Sequence, residues 1–273
     1  MSSQSLNHNI KQLIPPLLIS VFKKGNRYGW KGNYESWEAA SKESGGYHAA
    51  NILERVKQST LKVKKGEAAY ERDGVLFEKI QYSWPLLSAL MWAAAQNKGR
   101  LHVADVGGGL GSSYFQNKVF LDPLSDVQWN IIEQKTFSDC GRKFFSDPRL
   151  QFFDSLADCI SKRSVQDILV LSCVLPYLEQ PYEALREFMG YKAPFIIIDN
   201  TYFNIKAGNR ICIQKVPPDI YEASYPCWFL DYEEIKATTK KEYTVISEHV
   251  NDSFIYLDGK KIQYRGLLLK RNQ

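Results

Sequence analysis

The stretch Leu101-His-Val-Ala-Asp105-Val-Gly107-Gly-Gly109-Leu-Gly111-Ser-Ser113 decides the fold. Leu101 to Val106 is a short apolar run, broken by His102 and Asp105, that reads as a buried strand and runs into a glycine cluster. Three glycine-loop chemistries compete for that cluster. A phosphate-cradling loop needs GxxxxGK[ST], but Ser112 stands five residues after Gly107 and no lysine follows nearby. A dinucleotide loop needs GxGxxG, and here the third glycine falls at 111 where the pattern needs 112. What remains is D-x-G-x-G-x-G. Its glycines let the backbone come close to a ligand that places no pyrophosphate on the helix start.

Working outward, further apolar runs are Val127 to Glu133, Leu150 to Asp154, Ile168 to Leu175 and Phe195 to Asp199. Helical signals lie between them at Phe137 to Phe145, Ser155 to Lys162 and Tyr182 to Met189, and Ser155 with Asp158 resembles a capping box. Short buried strands alternating with helices predict a parallel sheet covered on both faces, with its ligand outside the carboxyl ends of the strands. Glu133, Asp154, Ser172 and Asp199 all stand at or near such ends. A carboxylate at Glu133 accepts from both hydroxyls of a ribose and repels a 2′-phosphate. Residues 1–98 read as a mostly helical N-terminal segment and cap. Residues 99–273 read as the ligand-binding domain, with a substrate-side insertion around 201–230. The chain after residue 201 begins irregular. It finishes with a helix at Asp231 to Lys240 and two strands, Tyr243 to Val250 and Tyr264 to Lys270, around a turn at Asp258-Gly259. That pair predicts an antiparallel addition to the sheet edge.

The net charge of +5 is spread in short clusters, so nucleic acid is not expected as a partner. Five cysteines, with no CxxC, predict reduced thiols and a cytoplasmic protein. No secretory signal is evident. Leu13 to Phe22 reads LIPPLLISVF, too short to span a bilayer and interrupted by Pro15 and Pro16. Two readings stay open for it: a helix docked on the domain, or a peripheral contact with a membrane face or partner. The oligomeric state is not legible.

The D-x-G-x-G-x-G pattern resembles motif I of the class I methyltransferases. The resemblance implies a Rossmann-like seven-stranded α/β fold, mostly parallel with an antiparallel last strand, and S-adenosyl-L-methionine as cofactor. It implies a cofactor site at Asp105, Gly107, Gly109 and Gly111. Glu133 would be the ribose acid with Gln134 beside it, Asp154 and Ser155 would lie at the adenine, and Ser172 near the transferred methyl group. Longer motifs sharpen the likeness. Gly32-Asn-Tyr34-Glu-Ser36-Trp37-Glu-Ala39, Tyr70-Glu-Arg72-Asp73, Gln81-Tyr-Ser-Trp84-Pro85 and Gly109-Leu-Gly-Ser-Ser-Tyr-Phe-Gln-Asn117 come first. Glu133-Gln134, Val216-Pro-Pro-Asp-Ile-Tyr221 and Ala223-Ser-Tyr225-Pro226 follow. Together they look like a bacterial methyltransferase family often encoded among surface-polysaccharide biosynthesis genes. The likeness runs over residues 28–271. Relatives commonly carry serine where this chain has Gly109. The resemblance implies methyl transfer without identifying a substrate, and the leading expectation is O-methylation of a sugar, sugar nucleotide or lipid-linked glycan.

Methyl transfer is an in-line displacement in which positioning does much, and a sugar hydroxyl gains from a base. Candidate catalytic groups are Asp199, Glu71 and His48. Of the other histidines, His102 lies within the first strand and reads as structural, while His8 and His249 carry no assignment. Arg72 and Asp73, with Arg210, Tyr221, Tyr225 and Trp228, are candidate substrate contacts. Some small-molecule O-methyltransferases hold Mg²⁺ through an Asp-Asn pair like Asp199-Asn200 plus an Asp after the fourth strand. Ser172 stands at that last position, so no metal is expected. The lack of an obvious base keeps a rival open: a non-catalytic cofactor-binding or partner-interaction protein of the same fold. A nicotinamide-dependent sugar enzyme fails on the glycine spacing and on the absence of a Tyr-x-x-x-Lys pair near the site.

Overall fold

Neighbouring residues of the buried strands pack on different helices, and this alternation builds the protein. A computed structural model of the chain describes residues 28–45, 49–163 and 166–273. His48 and the run Leu13 to Phe22 lie outside the described residues. Strands β4 (Arg100–Val106), β5 (Asp126–Ile132), β6 (Leu150–Phe153), β7 (Ile168–Ser172) and β8 (Phe195–Thr201) are parallel. Taking β1 (Gly29–Tyr34), β2 (Tyr70–Arg72) and β3 (Val75–Phe77) as the N-terminal strands, the remaining four are β9 (Arg210–Val216), β10 (Ala223–Phe229), β11 (Tyr243–Leu257) and β12 (Lys260–Arg271). The central sheet has seven strands in the order β11-β12-β8-β7-β4-β5-β6.

Val103, Trp129, Ile131, Val170, Ile197 and Leu268 pack on one side. They meet helices Trp84–Gln96, Ser112–Leu121 and Lys135–Phe144 through Leu90, Tyr114 and Phe137. Ala104, Leu169, Leu171, Ile196, Ile198 and Leu267 face the other side. There they meet helices Leu156–Lys162, Pro181–Gly190 and Tyr232–Thr239 through Cys159, Leu185 and Ile235. Each fully buried Leu or Ile contributes about 1.5–3 kcal/mol, so a one-residue slip of any central strand would exchange its two faces at prohibitive cost. The fold is Rossmann-like α/β, as expected.

The C-terminal strands meet expectation, and the structure differs from it at two other places. The two C-terminal strands form one long hairpin, turning at Asp258 (φ 50°) and Gly259 (φ 73°). As expected, the hairpin adds to the sheet edge, and its second strand, β12, runs antiparallel between β8 and β11. The segment expected as a helical cap also supplies strands. Besides helices Trp37–Glu43 and Ala49–Lys64, it contains β1 and the β2–β3 hairpin. The stretch after residue 201, expected as irregular, forms the β9–β10 hairpin, and β1 completes it as a three-stranded sheet, Gly29 pairing with Lys215. Trp30, Cys212, Cys227 and Phe229 bury this small sheet against Ile255, Leu257 and Ile262 of the long hairpin. All five cysteines are free. Among the described residues no helix is long and apolar enough to cross a membrane.

Candidate functional site

From β4 the chain steps to β5 and β6 on one side of the sheet and later to β7 and β8 on the other. The strand order therefore reverses between β4 and β7, and a crevice opens there beyond the carboxyl ends, where α/β sheets bind ligands. The glycine loop forms its floor. Gly107 and Gly111 take φ of 70° and 102°, which side chains rarely adopt. A Cβ on Gly107 would stand 2.9 Å from Val174 Cγ2, so the glycine lets the loop lie against the end of β7. Asp105 sits beneath the loop. It is 1% exposed, accepts from Trp129 Nε1 at 3.0 Å and packs under Gly108. Burial pushes its carboxyl up to about 7, against the lowering effect of the indole bond. Its direct role in the structure is to hold the loop from below.

At the next strand end Glu133 turns toward the loop. One carboxylate oxygen accepts from Gly109 N at 3.2 Å and the other from Gln134 N at 2.8 Å. Burial raises its carboxyl, and the two backbone donors partly offset this. The exposed Gln134 sits before helix Lys135–Phe144 without capping it. At the third strand end Ser155 caps helix Leu156–Lys162, accepting from Asp158 N at 3.1 Å, as the capping box implied. Asp154 is exposed and already engaged: it accepts from Ser138 Oγ and from Arg142 Nη2 at 2.9 Å, and these bonds lower its carboxyl.

The opposite wall comes from the ends of β7 and β8. Cys173 (φ 55°) and Asn200 (φ 47°) both hold left-handed backbone, the kind of local strain found at functional positions. Ser172 Oγ accepts from Asn200 Nδ2 at 3.3 Å. Asp199 is fully buried and fully engaged. Oδ2 accepts from Ser83 Oγ (2.7 Å) and Asn200 Nδ2 (3.0 Å), and Oδ1 from His249 Nε2 (2.9 Å) and Asn251 Nδ2 (3.3 Å). A carboxylate with no exposed surface and four donors is a positioning group for Asn200 and the strand end, not a base open to a substrate.

The β2–β3 hairpin roofs the crevice. Glu71, 1% exposed, accepts from Ser112 Oγ at the start of helix Ser112–Leu121 and from Gly74 N at 3.1 Å. Burial pushes it up to about 7. With both oxygens engaged, Glu71 ties the roof to the floor rather than offering a base. Arg72 and Asp73, next in the hairpin, lie near enough to Cys173 and Tyr264 for their charges to act on the thiol and phenol. Tyr177 donates to Gln214 Oε1 at 2.6 Å and meets Tyr225 edge-on at 5.6 Å.

Two other candidate substrate contacts, Arg210 and Trp228, tie the small sheet to its neighbours. Arg210 binds Asp258 at 2.5 Å and the Gly32 carbonyl at 2.9 Å, joining β9 to β1 and to the long hairpin's turn. Trp228 stacks on Trp37 at 6.2 Å and donates to the Glu179 carbonyl at 3.3 Å. Tyr221 packs against the main core. Ser83, Tyr177, His249, Asn251 and Tyr264 join the site without having been singled out from the sequence. The left-handed backbone at Cys173 and Asn200 carries no sequence signal, and His249 reaches the site only through strand pairing.

Fold and crevice together define a Rossmann-like α/β protein with a crevice at the switch point of its sheet. No protein-family model matches the chain, and no curated protein matches it. It is similar to the solved N-terminal domain of EvdMO1 in the presence of SAH and D-fucose, at 11% identity over 83% of this chain and 98% of that one, TM-score 0.47. It is also similar to magnesium protoporphyrin IX methyltransferase from Synechocystis PCC 6803 with bound SAM, at 10% identity over 82% and 96%, TM-score 0.45. A third similar structure is a SAM-dependent methyltransferase from Methanosarcina mazei, at 10% identity over 70% and 98%, TM-score 0.47.

Proposed function

We propose that the chain is an S-adenosylmethionine-dependent methyltransferase. The observation that carries this reading is Glu133, a half-buried carboxylate at the end of β5, one hydrogen bond from the glycine loop at the switch-point crevice. A nucleoside resting on that loop brings its two ribose hydroxyls to this carboxylate, and low surrounding dielectric strengthens both bonds. The bound donor supplies an electrophilic methyl group. The chain's own part is positioning: Asp199 fixes Asn200, Glu71 fixes the roof, and the crevice confines the acceptor. On this reading residues 99–273 are the cofactor-binding domain, residues up to 98 the cap, and residues 201–230 the substrate-side insertion.

The acceptor we infer is an oxygen of a sugar, sugar nucleotide or lipid-linked glycan in surface-polysaccharide synthesis. The motif resemblance and the aromatic wall of Tyr177, Tyr225 and Tyr264 support this. Five free cysteines fit a reducing compartment, so we place the protein in the cytoplasm. Titration calorimetry with S-adenosylhomocysteine tests the reading: no heat at millimolar ligand refutes it.

One observation favours a second reading, a non-catalytic cofactor-binding protein of the same fold. Asp199 and Glu71 both have their oxygens engaged. Transfer of a labelled methyl group from the donor to any of a panel of nucleotide sugars rejects it.

A further inference from the structure

The roof hairpin carries two opposite charges that the described residues leave unpaired. Arg72 lies over the Phe77 ring at 5.7 Å and reaches Gln81 Oε1 at 3.4 Å, and no described carboxylate stands within ion-pair distance of it. Asp73, exposed and held at φ 53°, makes no hydrogen bond with the described residues. The turn that bears them is anchored rather than loose. Glu71 binds Ser112, and Ser59 Oγ donates to the Gly74 carbonyl at 2.8 Å. The Glu71–Ser112 bond sets the turn over the start of the helix that follows the glycine loop, and the two charges bear on the Cys173 thiol just past β7, which puts them on the β7 side of the crevice. Glu133 stands on the β5 side, beyond the glycine loop.

Adjacent fixed charges of opposite sign complement a group that carries both signs itself. We propose that Arg72 and Asp73 hold the α-amino-acid end of the methyl donor, Arg72 pairing with its carboxylate and Asp73 with its ammonium group. The inference rests on the reading of the crevice as an S-adenosylmethionine site. It orients the ligand with its nucleoside toward β5 and its amino-acid end toward β7, under the roof. It also removes Arg72 and Asp73 from the acceptor contacts and leaves that side to Tyr177, Tyr225, Tyr264 and Asn200.

The test is titration calorimetry on the full chain with S-adenosylhomocysteine and with 5′-methylthioadenosine, which keeps the nucleoside and thioether but lacks the amino-acid end. The parent binds S-adenosylhomocysteine more tightly. Arg72→Ala and Asp73→Asn each weaken that ligand about tenfold to a hundredfold and leave 5′-methylthioadenosine unchanged. Unchanged S-adenosylhomocysteine affinity in both variants overturns the inference while the cofactor reading stands. Equal weakening of both ligands overturns it too, because the hairpin would then act only as structure. A parent chain that binds neither ligand overturns the cofactor reading and this inference with it.

Discussion

The imidazole of His249 on β11 lies 2.9 Å from the carboxylate of Asp199 on β8, although strand β12 runs between them. Gly266 makes this possible. It pairs with His249, and the register of β12 against β8 shifts at this point. A Cβ on Gly266 would overlap His249 Nε2 and the Ile198 carbonyl oxygen. Gly266→Ala is therefore expected to destabilise the chain by about 1–3 kcal/mol, the usual cost of overpacking. Urea unfolding measures it, and an unchanged midpoint would show that the ring swings away freely.

Removing the acceptor costs more than crowding it. Asp199→Ala removes the acceptor shared by the half-buried donors of Ser83, His249 and Asn251, of which Asn251 keeps Asn200 Oδ1 at 2.7 Å. Leaving such donors unsatisfied costs about 1–3 kcal/mol each. Asp199→Asn keeps one acceptor oxygen and should lose less. A loss under about 1 kcal/mol for the alanine variant would contradict the account of Asp199 as a positioning group.

Glu133 is the group on which the cofactor reading stands. Glu133→Ala is expected to weaken S-adenosylhomocysteine about tenfold to a hundredfold, from the loss of charge-assisted bonds to the ribose. The folded chain should survive the change, since the side chain's partners are two backbone N–H groups at the crevice mouth. Calorimetric affinity unchanged by the substitution would remove Glu133 from the site.

Glu71 predicts a pH dependence of stability. Its carboxyl titrates near about 7 when folded, raised by burial, and near an ordinary glutamate value when unfolded. Between those values the folded chain holds the extra proton, so the Glu71 contribution is fullest at low pH and is lost as pH rises through about 4 to 7. Glu71→Gln does not titrate. The stability of the parent relative to this variant should fall by about 2–3 kcal/mol between pH 5 and pH 8. Chemical denaturation at both values measures the difference. A constant difference would show that Glu71 is already ionised in the folded chain at pH 5.

How much of this was legible in the sequence follows from the range of the interactions. The buried strands, the helix capped by Ser155 and the glycine loop rest on neighbours a few residues apart, so local pattern was enough to place them. The spacing 107-109-111 and the acid at 133 lie at strand ends, and strand ends of a parallel sheet converge on one crevice whatever the details of the fold. Sequence alone therefore determined the α/β class, the floor of the crevice and Glu133.

What only the tertiary structure decided depends on partners far along the chain. Gly29 meets Lys215, and so a segment read as helical cap became the edge of a small sheet. That pairing also turned Arg210 and Trp228 into tethers of the sheet. Asp199 stands at the strand end where it was expected, yet whether it can act as a base depends on donors from residues 83, 249 and 251 that fill its lone pairs. Availability, unlike position, is a property of the packed surroundings. Arg72 and Asp73 stood out in the sequence as candidate substrate contacts, and the tertiary bond of Glu71 to Ser112 fixes the turn that bears them beside the glycine loop's helix.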